Sequence, residues 1–323
     1  IHIGASIAQA VSERFGLGRI DVRGLLAAGA AAGLSAAFNA PLAAVLFVIE
    51  ETRRQFPYTF RTYTAVIVAA AASAVVTESI AGTEPDLKIV ALGMPLATLP
   101  AFIGLGLLLG GVGVVFNRAL VACLDGALAL SKRAPYALPV AVAAAIGALS
   151  LVLPEATTGG EKLILRLIAE NLPVTLLVLI AVLRFAGTMA SYSTGVPGGI
   201  FAPILSLATA IGLAVGTVLP ALVPLPDTAA AAFAVAAMGG LFSSTIRAPL
   251  VGVVLVAELT GAYDLILPVL VTCVVSNWAA DGLGGRPIYE VLLERTLRLA
   301  GATVPPIPDE TPPPSPVGLD TPR

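Results

Sequence analysis

The sequence predicts an all-α, multi-pass membrane protein. Three observations carry that prediction. Charge is too sparse for a water-facing surface, apolar runs are long enough to cross a bilayer, and one apolar helix pattern occurs twice. Of 323 residues, 57% are AVILMFWYC and only 12% are Asp, Glu, Lys or Arg. A soluble domain carries about 25% charged residues, so the lipid bilayer is the expected solvent of this chain.

The same composition excludes several classes of function. The net charge is -2 and no basic tract is present, so a nucleic-acid partner is not expected. The chain has one histidine, His2, which leaves almost no material for a His-built metal site or a Ser-His-Asp triad. It contains no HExxH, GxSxG or Walker pattern. Cys123 and Cys273 lie far apart in apolar runs and form no disulfide framework. Neither an enzyme, a metal nor a cofactor is supported.

A spanning helix needs about 20 mostly apolar residues. Charge-free runs cover 62–77, 89–117, 134–154, 171–183 with its continuation past Arg184, 185–226, 228–246 and 265–280. Gly and Pro break the longest of these, at 195–199 and 220–226. Broken helices of irregular length are therefore expected, about nine to eleven in all. Gly29/Gly33, Gly106/Gly110 and Gly212/Gly216 are GxxxG pairs. Such pairs let helix backbones approach closely in lipid and read as packing seams.

Charged loops between the runs are expected to set the orientation. Arg53, Arg54 and Arg61 lie in the stretch 51–61, and Arg118, Lys132 and Arg133 in 118–133. Arg286, Arg295 and Arg298 follow the last run, whereas 78–88 holds Glu78, Glu84, Asp86 and only Lys88. An excess of Lys and Arg marks the cytoplasmic side. This places 51–61, 118–133 and the C-terminal segment there.

Residues 36–50 read AAFNAPLAAVLFVIE and residues 244–258 read STIRAPLVGVVLVAE. Ala40-Pro41-Leu42 aligns with Ala248-Pro249-Leu250, and Glu50 aligns with Glu258, at a constant offset of 208 residues. Two apolar helices with an Ala-Pro start and a Glu end suggest duplication. In a multi-pass membrane protein a repeat points to a transporter with its site near the repeat interface. Glu50 and Glu258 are expected to be structural or interface residues. Arg184 lies within a span and needs a carboxylate or backbone partner.

The stretch Gly195-Val-Pro-Gly-Gly-Ile-Phe-Ala-Pro203 carries the chemistry. Gly198 and Gly199 permit an unwound backbone and the close approach of an ion. Pro203 suits a first helical turn, where its missing N–H costs nothing. The amides of Ile200 and Phe201 are then free donors at a helix N-terminus, whose partial positive charge attracts anions. A plain Gly/Pro kink between two spans is the alternative reading of these residues.

GGIFAP at 198–203 matches the GxFxP anion-site element of the CLC family of chloride channels and proton/chloride exchangers. Residues 33–51 closely resemble the segment that follows that family's G-[KR]-E-G-P motif. Ile246-Arg-Ala-Pro-Leu250 through Glu258, and Gly284-Gly-Arg-Pro-Ile-Tyr289, fit in order and spacing. The resemblance runs from Ile1 to about Arg298.

The resemblance implies a fold built on an inverted-topology repeat with broken and tilted helices. Residues 1–83 would be the remainder of the first half and 88–282 the second. Residues 283–300 would form a cytoplasmic helix and 301–323 a disordered Pro-rich tail. It implies that Gly199, Ile200 and Phe201 form the anion site and that the Tyr289 hydroxyl bonds the anion from the inner side. Glu51 resembles the internal proton glutamate of the family's exchangers. The implied function is chloride transport, by proton-coupled exchange or through a passive channel; a non-transporting scaffold is the third alternative. Chloride and protons would be the substrates. The protein would be a homodimer in a bacterial inner membrane, its surfaces near 41–50, 62–78, 249–260 and 265–282 meeting the partner. Ile1-His-Ile-Gly4 resembles the helix just after G-[KR]-E-G-P, so the gating glutamate and the serine-bearing motif are expected to lie upstream of residue 1.

Overall fold

The computed structural model describes residues 1–51, 59–89, 93–221, 223, 225–226 and 228–302. Arg53, Arg54 and residues 303–323 of the expected tail lie outside the described residues. Every regular element among those described is helical. In chain order they are α1 (His2–Arg14), α2 (Arg19–Phe38), α3 (Pro41–Glu51), α4 (Phe60–Ala81), α5 (Leu99–Ser131), α6 (Ala137–Val152) and α7 (Glu161–Ala169). There follow α8 (Val174–Ser193), α9 (Phe201–Val218), α10 (Ala229–Ile246), α11 (Pro249–Thr260), α12 (Ile266–Gly282) and α13 (Ile288–Leu299). Among the described residues seven helices are long and apolar enough to cross a membrane, and α6 and α11 are shorter apolar helices.

The helix α10 is the hub. Its sequence AAAAFAVAAMGGLFSSTI is apolar or small on every face, and a helix of that kind must be buried. Nearly all of it is buried, against α9, α12, α5 and α11. The three GxxxG pairs serve as packing seams. A Cβ at Gly29 would meet the Gly4 carbonyl oxygen at 2.4 Å, and one at Gly110 would meet the Ser276 carbonyl oxygen at 2.8 Å. At Gly212 it would fall 2.5 Å from the Phe233 carbonyl oxygen and 2.7 Å from the Ala234 Cα. These neighbours are backbone and cannot swing away. Gly212→Val is therefore expected to wedge α9 from α10 at a cost of about 3 kcal/mol, read as a lower thermal unfolding midpoint in detergent.

Hydrogen bonds between helices replace the hydrophobic drive that lipid cannot supply. Ser35 on α2 donates to the Ala70 carbonyl on α4, and Ser73 on α4 donates back to the Ala32 carbonyl. Ser243 donates to the Cys273 carbonyl and Ser276 to the Gly240 carbonyl, which ties α10 to α12. The outward faces are apolar and bare, as at Ile80 on α4 and at Leu151 and Val152 on α6. Those faces suit acyl chains.

One expectation is corrected. The charged stretch 118–133 is not a loop over most of its length, because α5 runs unbroken from Leu99 to Ser131. No Gly-Pro break occurs there, and Val121 and Leu124 still pack on the core. Its charges dock α13 and the turn that precedes it. Arg118 donates to the Leu283 carbonyl, and Asp125 accepts from the Arg295 Nε at 2.8 Å. The 118–131 segment and α13 thus share one side, as the charge pattern predicts.

Candidate anion site

The stretch that breaks the long apolar run lies at 194–200. Helix α8 ends at Ser193, Gly195 takes φ +78°, and α9 begins at Phe201. The first bond within α9 runs from the Ile204 N–H to the Ile200 carbonyl at 3.0 Å. The amides of Phe201 and Ala202 precede it and have no acceptor within the helix. Pro203 occupies the third position of the helix and removes the remaining donor that its first turn would orphan. The Ile200 side chain is buried, whereas Gly198 and Gly199 are exposed. The helix therefore presents a short row of N–H donors, preceded by two exposed glycines that carry no side chain.

An aromatic cluster gathers the expected site residues. The Phe201 ring centroid lies 5.8 Å from Phe38, 5.5 Å from Phe47, 4.9 Å from Phe242 and 6.1 Å from Tyr289. Phe47 also meets Tyr289 edge-on at 6.4 Å. Elements α2, α3, α9, α10 and α13 thus converge on the start of α9. Phe47 stands one helical turn before Glu51, and positions four apart share a helix face. The helix that touches the start of α9 therefore carries Glu51 at its end. Glu51 is half-buried, and Glu290 and Tyr289 lie within its electrostatic reach.

Tyr289 sits at the start of α13, just past the final span. Burial, with Tyr192 and Glu51 nearby, pushes its phenol well above the ordinary value. It remains a protonated donor across the physiological range. Arg286, three residues earlier, forms an ion pair with Glu294 that braces the turn before Tyr289. That pairing holds the Glu294 carboxyl below its usual range. The brace is present above the ordinary glutamate value and is lost as pH falls through the lowered one.

Gly198 and Gly199 also line a cavity of about 400 Å³ with Arg184, Thr188, Ser191 and Tyr192. Arg184 finds backbone partners. Its Nη1 donates to the Ala156 and Thr158 carbonyls at 2.7 and 2.8 Å, and its Nη2 to the Gly159 carbonyl at 2.8 Å. Its Nε donates to the Ser206 hydroxyl on α9 at 2.8 Å. These four partners are neutral, so none of them cancels the guanidinium charge close to the start of α9.

Sequence reasoning missed Phe38, Phe47 and Phe242 as the frame of the site. Phe47 had one readable signal, its spacing of four from Glu51. Glu50 and Glu258 are structural, as expected, and their bonds cross between the two repeated helices. Among the described residues no group of three or more His, Cys, Asp or Glu is arranged to hold a metal ion.

Broken helices with amide donors at the start of α9 have the chemistry to receive an anion. The profile described as "Voltage gated chloride channel" matches residues 1–281, and the chain belongs to that family. The chain is 40% identical over 303 residues to the H(+)/Cl(-) exchange transporter ClcA of Vibrio parahaemolyticus, covering 92% of this chain and 65% of the relative. It is likewise 40% identical over 302 residues to ClcA of Salmonella arizonae, covering 92% and 64%. The chain thus spans less than two thirds of the length of these curated relatives. Among solved structures, a slow cyanobacterial Cl-/H+ antiporter superposes with a TM-score of 0.84 at 36% identity, covering 91% of this chain and 70% of that one. A eukaryotic CLC transporter gives 0.71 at 24% identity, covering 91% and 52%, and shares the fold. The protein is an integral, multi-pass membrane protein of this family.

Proposed function

We propose that the protein exchanges chloride for protons across a bacterial inner membrane, working as a homodimer with one pathway in each subunit. The observation that carries this reading is the convergence of three parts. The first turn of α9, Tyr289 and the helix bearing Glu51 meet through the rings of Phe201 and Phe47. The Ile200 and Phe201 amides and the Tyr289 hydroxyl are donors, which suits a bare anion. Gly199 leaves room for it to reach the backbone. The Arg184 charge, held by neutral partners among the described residues, adds to the partial positive charge of the helix end. The carboxyl of Glu51 loads and releases the proton. The relatives named as exchange transporters support the same reading.

The test uses the protein from its intact gene in liposomes. A chloride gradient is imposed and proton movement is recorded. The reading expects protons to be driven uphill. Chloride flux without proton movement would mean a channel, and flux of neither would leave a scaffold. Tyr289→Phe keeps the ring contacts and removes the donor. A hydrogen bond to a charged group contributes about 1.5–3 kcal/mol. Chloride affinity in calorimetric titration is therefore expected to fall at least about tenfold.

A further inference from the structure

The repeated helices α3 and α11 hold one another by their ends. Each begins with Pro at its first position, Pro41 and Pro249, which has no N–H. Each is preceded by alanine, Ala40 or Ala248, whose side chain has no oxygen to cap the next two amides. Those amides are taken by the other helix. The Glu258 carboxylate accepts from the Leu42 N–H at 3.0 Å and the Ala43 N–H at 2.7 Å. The Glu50 carboxylate accepts from the Leu250 N–H at 3.4 Å and the Val251 N–H at 2.9 Å.

The arrangement resolves an apparent conflict. An acid near the end of its own helix opposes that helix's dipole. Both glutamates stand there, Glu50 next to last in α3 and Glu258 third from last in α11. Because the helices run antiparallel, each carboxylate rests on the positive end of its neighbour. The residues before the two alanines match as well, since Asn39 and Arg247 both adopt positive φ, 46° and 73°. The offset of 208 residues therefore relates backbone conformation, proline start and cap together.

We infer that Glu258 is a positioning residue for Glu51. This inference rests on the exchange reading proposed above. Helix α3 has 11 residues, so it is roughly 16 Å long. Glu258 pins its first turn, and Glu51 is its last residue. Glu50, next to Glu51, binds α11 and sets the rotation of that end. Without the Glu258 contacts the start of α3 loses its cap, and the Glu50 contacts at its other end are left to fix the helix along its axis. A proton donor displaced by about 1 Å loses much of its transfer rate. Phe47 of α3 touches the first residue of α9, but α9 packs mainly on α8 and α10, so anion binding is less affected than the position of Glu51. Glu258 serves the test better than Glu50, because it acts from the far end of α3 and does not adjoin Glu51.

The experiment compares protons moved per chloride in liposomes for the intact protein, Glu258→Ala and Glu258→Gln. Loss of a cap of this kind corresponds to about fivefold. In Glu258→Ala, proton flux is expected to fall about that much further than chloride flux. Gln keeps one accepting oxygen and should restore most of the ratio. Amide hydrogen exchange at Leu42 and Ala43 is read in parallel. Faster exchange is expected at both in the Ala variant and at one in the Gln variant, which also covers an Ala variant that fails to fold. An unchanged proton-to-chloride ratio in Glu258→Ala, or unchanged exchange in Glu258→Gln, overturns the positioning role alone. An intact protein that moves chloride without protons overturns the exchange reading, and this role with it.

Discussion

Glu51→Gln is expected to abolish uphill proton movement while chloride flux continues. The two carboxylates at the ends of the repeated helices are committed elsewhere. Both oxygens of Glu50 accept amides of α11, and both oxygens of Glu258 accept amides of α3. Protonating either would weaken a helix cap. Glu51 ends the same helix on the side of Tyr289 and Glu290, one turn beyond the phenylalanine that touches the anion site. Gln has nearly the same shape and cannot titrate, so packing of α3 survives and only the proton step is removed. Positioned proton transfer contributes about 10²–10⁴-fold, and coupled proton flux should fall by at least the lower figure. A variant that still drives protons uphill would remove Glu51 from the proton path.

Arg184→Leu is expected to be among the most damaging substitutions in the protein. The guanidinium satisfies the Ala156, Thr158 and Gly159 carbonyls and bonds Ser206 on α9. The loop is shaped around it. Gly160 has φ +115°, and a Cβ there would lie 2.7 Å from the Arg184 Nη2 and 2.6 Å from the Ser206 Cβ. Leucine would leave the buried Ala156 carbonyl and Ser206 hydroxyl without this donor, at about 1–3 kcal/mol for each group. A loss of at least about 2 kcal/mol follows, visible as a drop in thermal unfolding midpoint. Arg184→Lys separates charge from fork. It keeps the charge but offers a single point of donation rather than a planar fork. It should recover anion affinity more fully than stability. Full stability in Arg184→Leu would show that the loop at 156–160 holds without the staple.

Much of the fold was legible because lipid enforces simple rules. The apolar runs at 62–77, 228–246 and 265–280 became α4, α10 and α12 within a few residues. The helix start at Phe201 could be read from Gly198, Gly199 and Pro203, whose backbone preferences are local. The extension of α5 past Arg118 was not legible, because its charges look solvated until α13 docks on them. Arg184 advertised its need for partners, yet its acceptors lie 25 to 28 residues back in the chain. Glu50 and Glu258 were visible as a matched pair, but their capping acts between helices about 200 residues apart. Tyr289 could be placed only through the resemblance around Gly284-Gly-Arg-Pro. The ring contacts that join it to Phe201 and Phe47 arise from tertiary packing alone.

The central claim is that the first turn of α9 and Tyr289 hold the transported anion. Crystals of the intact protein grown in bromide test it most directly, because bromide scatters anomalously and substitutes for chloride. The account predicts an anomalous peak within hydrogen-bonding reach of the Ile200 and Phe201 amides and the Tyr289 hydroxyl, weakened in Tyr289→Phe. A well-occupied peak elsewhere in the membrane region, with none at the start of α9, would contradict it.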